Sequence, residues 1–167
     1  MSQKEIVVIV DKDNQIIGSA PRAEMRAKSL AHRATYILVL NQKGELFVHK
    51  RTMTKDVCPG FYDVVAGGVV LAGESYEQSA VREIEEELGI RDIPLSTLFD
   101  FYYEDPKSSV WGRAFSCEYN GEMILQEEEI ESGEFMPVEK IIKMATREPF
   151  TPDGMYVLKR YLSEKTK

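Results

Sequence analysis

The amino-acid sequence predicts an α/β fold in which a mixed β-sheet is covered by helices on both faces. Apolar runs of strand length, bounded by turn residues, recur from "IVVIV" near the start to "VWGRAFSCEY" in the second half. Helical patterns interrupt them at residues 76–88 and again near the end of the chain. Strands and helices mixed in this order are typical of a sheet between helical layers. Because 167 residues without a Pro/Gly/Ser-rich linker suit one compact unit, we expect a single domain over residues 1–167.

The first half of the chain contains two hairpin patterns and one short helix. "IVVIV" and "QIIGSA" flank the turn-rich "DKDN" and predict a β-hairpin, and "PRAEMRAK" predicts a helix with Pro21 at its start. "ATYILVLNQKGELFVHKR" predicts a second hairpin, joined by residues 41–44. "FYDVVAGGVV" predicts a buried strand that runs into glycines.

The second half continues with strands and helices. Residues 76–88 predict a helix, and "LSTLFDFYYED" and "VWGRAFSCEY" predict two strands joined by turn residues. "SGEFMPV" predicts a short strand that Pro137 stops and that a helix follows. "FTPDGMYVLKRYLSEK" predicts a closing helix, with Thr151 as N-cap and Pro152 at the first position.

Residues 76–88 form the best-defined helix pattern. Ser75 and Gln78 have the spacing of a capping box, and Gly89 suits the left-handed residue that ends a helix. At about 100° per residue, the core stripe consists of Ala80, Val81, Ile84 and Leu88.

The same helix carries an unusual concentration of glutamates. Glu83 and Glu87 lie side by side at the edge of the core stripe, and Glu86 lies about 60° further round. Glu85 points elsewhere. A solvated charged face is expected opposite the core rather than beside it, so the arrangement favours a metal site over a solvated face.

The loop before the helix supports the same interpretation. "GGVVLAGES" has the glycine spacing of a phosphate loop, but Glu74 stands where that loop has lysine. A carboxylate repels phosphate unless a divalent cation lies between them, and Mg²⁺ binds both carboxylates and phosphates. The sequence therefore predicts Mg²⁺ or Mn²⁺ held by carboxylates and binding a pyrophosphate.

The composition excludes several kinds of partner. The net charge is −7, so the chain repels nucleic-acid backbones and we expect no nucleic-acid partner. No apolar run approaches the roughly 20 residues that cross a bilayer, and "MSQKEIVVIVDKDN" is typical of a strand rather than a signal peptide. We interpret Cys58 and Cys117 as reduced thiols of a cytoplasmic protein, because two cysteines make no disulfide framework in a chain of this length.

Residues 68–90 carry a long, spaced pattern that resembles the Nudix box. Gly68, Glu74 and residues 82–90 satisfy every fixed position of that box. The resemblance implies an α/β/α sandwich with a mixed sheet. It also implies a Mg²⁺- or Mn²⁺-dependent hydrolase that cleaves a small-molecule diphosphate, a nucleoside diphosphate linked to another group. The sequence leaves open whether the protein is a monomer or a homodimer.

The resemblance implies roles for individual residues of the box. Glu83, Glu86 and Glu87 are the expected metal ligands and catalytic carboxylates, with Glu83 and Glu87 the firmest. Arg82 is expected to orient the carboxylates, and Glu74 to add a further catalytic carboxylate. A main-chain carbonyl near Gly67 or Gly68 often completes the coordination sphere in this family.

Candidates outside the helix are fewer. Arg51 and Lys55, together with Gly68, are the expected substrate-binding residues. A loop carboxylate after the middle strands often serves this family as an extra ligand or general base, and the acidic run offers three candidates: Glu127, Glu128 and Glu129.

The region upstream of the box is similar to isopentenyl-diphosphate isomerases, a branch of the same superfamily. His32 occupies the place of one isomerase metal ligand, and a hydrogen-bonded structural histidine is the other interpretation. Gly67 and Val69 occupy the places of the isomerase cysteine and a second histidine. Two alternatives to the hydrolase thus stay open, an isomerase-like enzyme and a non-catalytic ligand-binding domain.

Overall fold

The computed structural model describes residues 3–165, so residues 1–2 and 166–167 of the predicted domain lie outside the described range. The helices and strands, in chain order, are β1 (Ile6–Val10), β2 (Ile16–Pro21), α1 (Arg22–Lys28), β3 (His32–Leu40), β4 (Leu46–Arg51), β5 (Tyr62–Asp63), α2 (Tyr76–Leu88), β6 (Ser96–Asp105), β7 (Ser108–Glu118), β8 (Ile130–Met136), α3 (Val138–Met144) and α4 (Pro152–Lys165). No helix within residues 3–165 is long and apolar enough to cross a membrane.

The strands form one mixed sheet of eight strands. One path runs in the order β2-β1-β3-β4-β5. β7 pairs in parallel with β3 along the whole length of β3. β6 is antiparallel to β7, and β8 is antiparallel to β4. The predicted mixed sheet is therefore confirmed.

The second predicted hairpin opens as it leaves its turn. β3 and β4 pair only at Leu40 and Leu46 within the described residues, after which β3 follows β7 and β4 follows β8. The turn was predicted correctly, but the divergence depends on strands from much later in the chain. It leaves a gap between β3 and β4 in which the candidate site lies.

The predicted strand in "FYDVVAGGVV" is only partly confirmed. β5 is limited to two residues, and beyond it Ala66 and Val69 make single bridges to β3. Gly67 interrupts the strand because its φ is +131°, a backbone conformation that residues with a side chain rarely adopt. A Cβ at Gly67 would also lie 2.1 Å from the carbonyl oxygen of Thr35.

Helices cover both faces of the sheet, as predicted. Side chains of β3 alternate between the faces, so Ile37 belongs to the core under α2 and Leu38 to the core under α4. Ile84 anchors α2 in the first core, and Val157 anchors α4 in the second.

The ends of the helices follow the sequence signals closely. The Ser75 hydroxyl accepts from the Gln78 amide at 3.0 Å, the Gln78 side chain accepts from the Ser75 amide at 2.9 Å, and Gly89 adopts φ +69°. Pro21 differs slightly from its prediction, since it ends β2 and occupies the N-cap position of α1. Thr151 precedes α4, but its hydroxyl donates to Asp63 at 2.9 Å.

The predicted core stripe of α2 is wrong at one position. Val81 is 56% exposed, while Ser79, Glu83 and Glu87 are buried with the apolar residues. The helix is rotated so that the glutamates face the loop at residues 67–68. They therefore lie within the buried arc rather than at its edge.

Candidate active site

The centre of the candidate site is the contact between α2 and the glycine loop. Glu83 and Glu87 are only 4% and 6% exposed. The Gly67 amide donates to Glu87 Oε1 at 2.8 Å. A Cβ at Gly68 would lie 2.7 Å from the Glu83 carboxyl carbon, closer than non-bonded atoms approach. Glycine at the first position of the box therefore makes room for the buried carboxylate.

Burial perturbs both carboxylates. Burial, followed by the nearby charge of Glu83, raises the pKa of Glu87 to about 8. Burial likewise raises the pKa of Glu83, although Arg82 opposes the shift. Two buried carboxylates one helical turn apart disfavour the doubly ionised state, and a bound cation would relieve that cost.

Arg82 connects the helix to the loop. Its guanidinium donates to both oxygens of Glu74, at 2.7 and 2.9 Å, and to Glu83 Oε1 at 2.9 Å. A longer bond of 3.3 Å reaches Glu86. Glu74 also accepts from the Leu71 amide at 2.9 Å. This geometry favours a positioning role for Glu74, which orients Arg82, and it supports the predicted orienting role of Arg82.

The predicted ligand Glu86 lies on the exposed side of this network. Its carboxylate pairs with Arg82 and does not join Glu83 and Glu87. Across the described part of the chain, no group of three or more Asp, Glu, His or Cys side chains is arranged to hold a metal ion. Glu83 and Glu87 fit a divalent cation by chemistry and burial, while a third ligand from Glu86 requires a different rotamer.

Glu129 is the member of the acidic run that lies beside the box. It is buried, whereas Glu127 and Glu128 are exposed. Its carboxylate forms an ion pair with the buried Lys55 ammonium. Burial alone would raise the pKa of Glu129, but the hydrogen bond from Lys55 lowers it. Burial raises the pKa values of Glu83 and Glu87, and the charge of Lys55 opposes both shifts, so it acts on all three carboxylates.

A cleft extends from Glu87 through the gap between β3 and β4. Its basic side chains are Arg22, Arg26, Arg51 and Lys55. Arg51 donates twice to the Val57 carbonyl, at 2.8 and 3.1 Å, and lies 3.5 Å from Asp63. The predicted substrate-binding residues Lys55, Gly68 and Arg51 all line this cleft. The hydrogen bonds of Arg51 also fix the backbone at Val57, which is part of the cleft lining.

His32 lies in the wall of the same cleft. Its Nδ1 donates to the Leu30 carbonyl at 3.0 Å, and burial together with Arg26 lowers its pKa to about 4. It is therefore uncharged at neutral pH. A neutral imidazole held by a main-chain carbonyl fits both the structural interpretation and a retained metal-ligand role, so the role of His32 stays a prediction.

Sequence reasoning missed four further polar residues that line the cleft. They are Tyr36, His49, Asp63 and Asp153. The local signal at His49 was a polar residue directly after the apolar run of "LFVHKR", at a buried position of β4. Asp153 gave no signal, because the start of α4 reaches the cleft only through the tertiary fold.

Comparison with known proteins matches residues 30–159 to the NUDIX domain family. The chain is 42% identical over 161 residues to the uncharacterised Nudix hydrolase PA4841 of Pseudomonas aeruginosa, covering 96% of this chain and 95% of that protein. It is also 42% identical over 167 residues to the uncharacterised Nudix hydrolase YfcD of Escherichia coli K12, covering 100% and 92%.

Solved structures share the fold. DR0079 from Deinococcus radiodurans superposes with a TM-score of 0.81 at 24% identity, covering 93% of this chain and 98% of that one. The NUDIX domain of Shewanella oneidensis NrtR, complexed with ADP ribose, superposes with a TM-score of 0.66 at 12% identity, covering 87% and 99%. These likenesses confirm the predicted α/β/α sandwich.

Proposed function

The chain belongs to the NUDIX domain family and is a hydrolase acting on pyrophosphate bonds, and we propose that it cleaves a nucleoside diphosphate linked to another group, with Mg²⁺ or Mn²⁺ as cofactor. The observation that carries the proposal is the buried pair Glu83 and Glu87 under the glycine loop, of which Glu87 lines a cleft with basic side chains. An anionic diphosphate suits the basic walls, and a divalent cation suits the two carboxylates.

Each residue near this carboxylate pair has a proposed task. Glu83 and Glu87 would hold the cation, and Glu86 would join them after a change of rotamer. When bound, the divalent cation supplies positive charge that offsets the charge developing on the diphosphate oxygens. Arg82 fixes the orientation of Glu83, and Glu74 fixes Arg82. Lys55 lies where its ammonium can bind a phosphate oxygen.

We propose that Glu129 accepts the proton of the attacking water. Of the three glutamates in the acidic run it is the buried one, and it lies close enough to Glu87 to affect the pKa of that carboxyl. Because Lys55 lowers its pKa, Glu129 is ionised at neutral pH and can accept a proton.

A nucleotide-derived substrate is the class that we propose. The NUDIX domain of NrtR was crystallised with ADP ribose, a nucleoside diphosphate linked to ribose. This supports the same class of ligand here, while the particular compound is left to the experiment below.

The isomerase alternative is not favoured. Isomerisation of an isopentenyl diphosphate needs groups that deliver and remove protons at carbon. Gly67 and Val69, at the corresponding places, have no group that transfers a proton. The non-catalytic alternative is disfavoured because the box retains all of its carboxylates.

Isotope labelling tests the proposal. The protein is incubated with a panel of nucleoside diphosphate derivatives in H₂¹⁸O with Mg²⁺ or Mn²⁺. We expect ¹⁸O in one phosphate-containing product and none without a divalent cation. In a parallel incubation with isopentenyl diphosphate in D₂O, deuterium at carbon would replace the hydrolase proposal with the isomerase.

A further inference from the structure

We propose that His49, Asp63 and Asp153 form a subsite that binds the hydroxyl groups of a sugar or polyol carried by the substrate. These residues line the same cleft as Glu87 and Lys55, so the inference rests on the proposed function and specifies the group linked to the diphosphate.

The first observation is a buried histidine without hydrogen bonds. His49 is 3% exposed, yet within residues 3–165 neither ring nitrogen has a hydrogen-bond partner. It lines the cleft beside Arg51 and Lys55, and burial together with these two cations lowers its pKa to about 3. A neutral imidazole has one N–H donor and one acceptor nitrogen, and neither ring nitrogen of His49 is fully enclosed, so both stay available to a ligand in the cleft. A ligand hydroxyl can satisfy either.

The second observation is a pair of carboxylates, Asp63 and Asp153, that line the same cleft in fixed orientations. His49 and Asp63 are directly opposite in the β4–β5 pair, so their side chains lie on the same face of the sheet. Thr151 donates to Asp63 at 2.9 Å, and Tyr36 donates to Asp153 at 2.9 Å. These bonds fix both carboxylates in orientation.

Acceptor capacity is left over after these contacts. Asp63 Oδ1 accepts from Thr151 and from the Val65 amide, but Oδ2 has only the Arg51 guanidinium at 3.5 Å. Each oxygen of Asp153 accepts a single bond, from Tyr36 and from the Gly154 amide. Since a carboxylate oxygen can accept about two hydrogen bonds, this wall presents free acceptors, which select for ligand donors.

The surroundings favour neutral hydroxyl donors over a cation or an aromatic base. Arg51 already balances Asp63, and a cationic ligand would meet repulsion from Arg51 and Lys55. The aromatic ring in the described lining of the cleft, that of Tyr36, packs against Phe101 at 5.0 Å between centroids. A vicinal diol needs neither a counter-charge nor a stacking surface. It can donate to Asp63 and Asp153 and exchange hydrogen bonds with His49.

Three small diphosphates test the contribution of the sugar hydroxyls separately from the rest of the substrate. Hydrolysis with Mg²⁺ is compared for methyl ribosyl diphosphate, with ribose joined through O5, dimethyl diphosphate and methyl aminoethyl diphosphate. We expect kcat/KM for the ribosyl compound to exceed that for the dimethyl compound by at least about 10-fold. Asp153→Asn and His49→Phe should each remove most of that preference while leaving dimethyl diphosphate hydrolysis within about twofold. Exposed Glu139→Gln is the control and should change neither.

Other outcomes overturn the subsite. They are equal rates for the ribosyl and dimethyl compounds, a preference for the aminoethyl compound, or equal losses on both diphosphates in His49→Phe, which would make His49 a phosphate contact. If His49→Phe does not fold, Asp153→Asn alone decides.

A thermal-shift measurement separates this subsite from the hydrolase proposal. Should none of the three small diphosphates be cleaved, the nucleoside diphosphate panel above still decides the proposed function, and Tm decides the subsite. A rise in Tm with the ribosyl compound that Asp153→Asn abolishes would keep the subsite, and no rise would reject it.

Discussion

Glu83 and Glu87 differ from Glu85 of the same helix in their surroundings. Glu85 is exposed and pairs with Arg91 at 2.8 Å, while Glu83 and Glu87 are buried against the glycine loop. Exposed like charges one turn apart cost about 0.2–0.5 kcal/mol, and burial adds the loss of hydration. A helix keeps such a pair at this position only if a cation or a proton accompanies it.

The first prediction contrasts Glu87→Gln with Glu85→Gln. Mg²⁺ at about 100 times its Kd should stabilise the wild type by about 2.7 kcal/mol, a rise in Tm of roughly 5–10 °C for a chain of this size. Glu87→Gln should lose this rise and on the order of 100-fold in kcat/KM, and Glu85→Gln should keep both. Calorimetry measures the rise in Tm, and turnover on the best substrate measures kcat/KM. Equal losses in the two variants would refute the assignment of Glu87.

The second prediction concerns the pH dependence of the metal-free protein. The pKa of Glu87 rises from 4.5 to about 8 on folding, because of burial and then Glu83. A raised carboxyl pKa contributes stability below the unfolded pKa and loses it as pH rises through the folded value. The free energy of unfolding in EDTA should therefore fall between about pH 4.5 and pH 8, and fall less in Glu87→Gln. Denaturant titrations across this range compare the slopes. Parallel slopes would contradict the shift.

The third prediction tests the close contact at Gly68. Gly68→Ala places a methyl group against the Glu83 carboxylate, so the carboxylate must move. We expect a loss of about 10- to 100-fold in metal affinity and activity, measured by metal titration and turnover. Gly18→Ala is the matched control, since a Cβ there meets nothing within 4 Å. An unchanged metal affinity in Gly68→Ala would show that Glu83 tolerates displacement.

At the scale of the element, α2 shows what local sequence determines. Its bounds were predicted correctly because Ser75, Gln78 and Gly89 act within one turn of the helix ends. Its rotation was predicted less well, with Val81 placed inside, because tertiary contacts with the glycine loop decide which arc is buried. The glutamates were recognised through the family pattern rather than through the wheel alone.

The fourth prediction concerns the N-terminus of α2. Ser75→Ala removes the hydroxyl that accepts from the Gln78 amide and should lower the free energy of unfolding by about 1 kcal/mol. Turnover per folded molecule should stay near the wild-type value, since Ser75 does not line the cleft. Ser19→Ala, on the exposed face of β2, should change stability by less than about 0.5 kcal/mol. If chemical denaturation shows the same loss of free energy of unfolding in both variants, the capping box does not stabilise α2.

At the scale of the whole molecule, the cleft depends on contacts between distant segments. The sequence predicted a mixed sheet, but the parallel pairing of β3 with β7 joins residues far apart in the chain and gave no local signal. The separation of β3 from β4, and hence the placement of His49 and Asp153 in one wall, follows from that pairing. Local patterns thus predicted the residues that meet between α2 and the glycine loop, whereas His49 and Asp153 in the cleft lining required the tertiary structure.

The loop that carries Lys55 is one such distant contact. Its Asp56 accepts from Arg22 at 3.1 Å and from Arg26 at 3.3 Å, both in α1. Although burial opposes the shift, these guanidinium groups hold the pKa of Asp56 well below its ordinary value. The Thr52 amide in turn donates to the Glu129 carbonyl at 3.2 Å. Residues from three separated segments therefore set the position of the Lys55–Glu129 pair beside the box.

The fifth prediction follows from this connection. Asp56→Asn leaves the nearly buried Arg22 without its counter-charge, so the free energy of unfolding should fall by about 2 kcal/mol. The loop should then hold Lys55 less firmly, and KM for a diphosphate substrate should rise several-fold while kcat falls less, because the carboxylates under the glycine loop are untouched. Asp13→Asn, an exposed change in the β1–β2 turn, is the control.

The depressed pKa of Asp56 contributes stability above about pH 4 that is lost as pH falls, so the difference between wild type and Asp56→Asn should shrink in acid. A difference that stays constant down to about pH 2 would mean that the ion pair with α1 does not hold the loop.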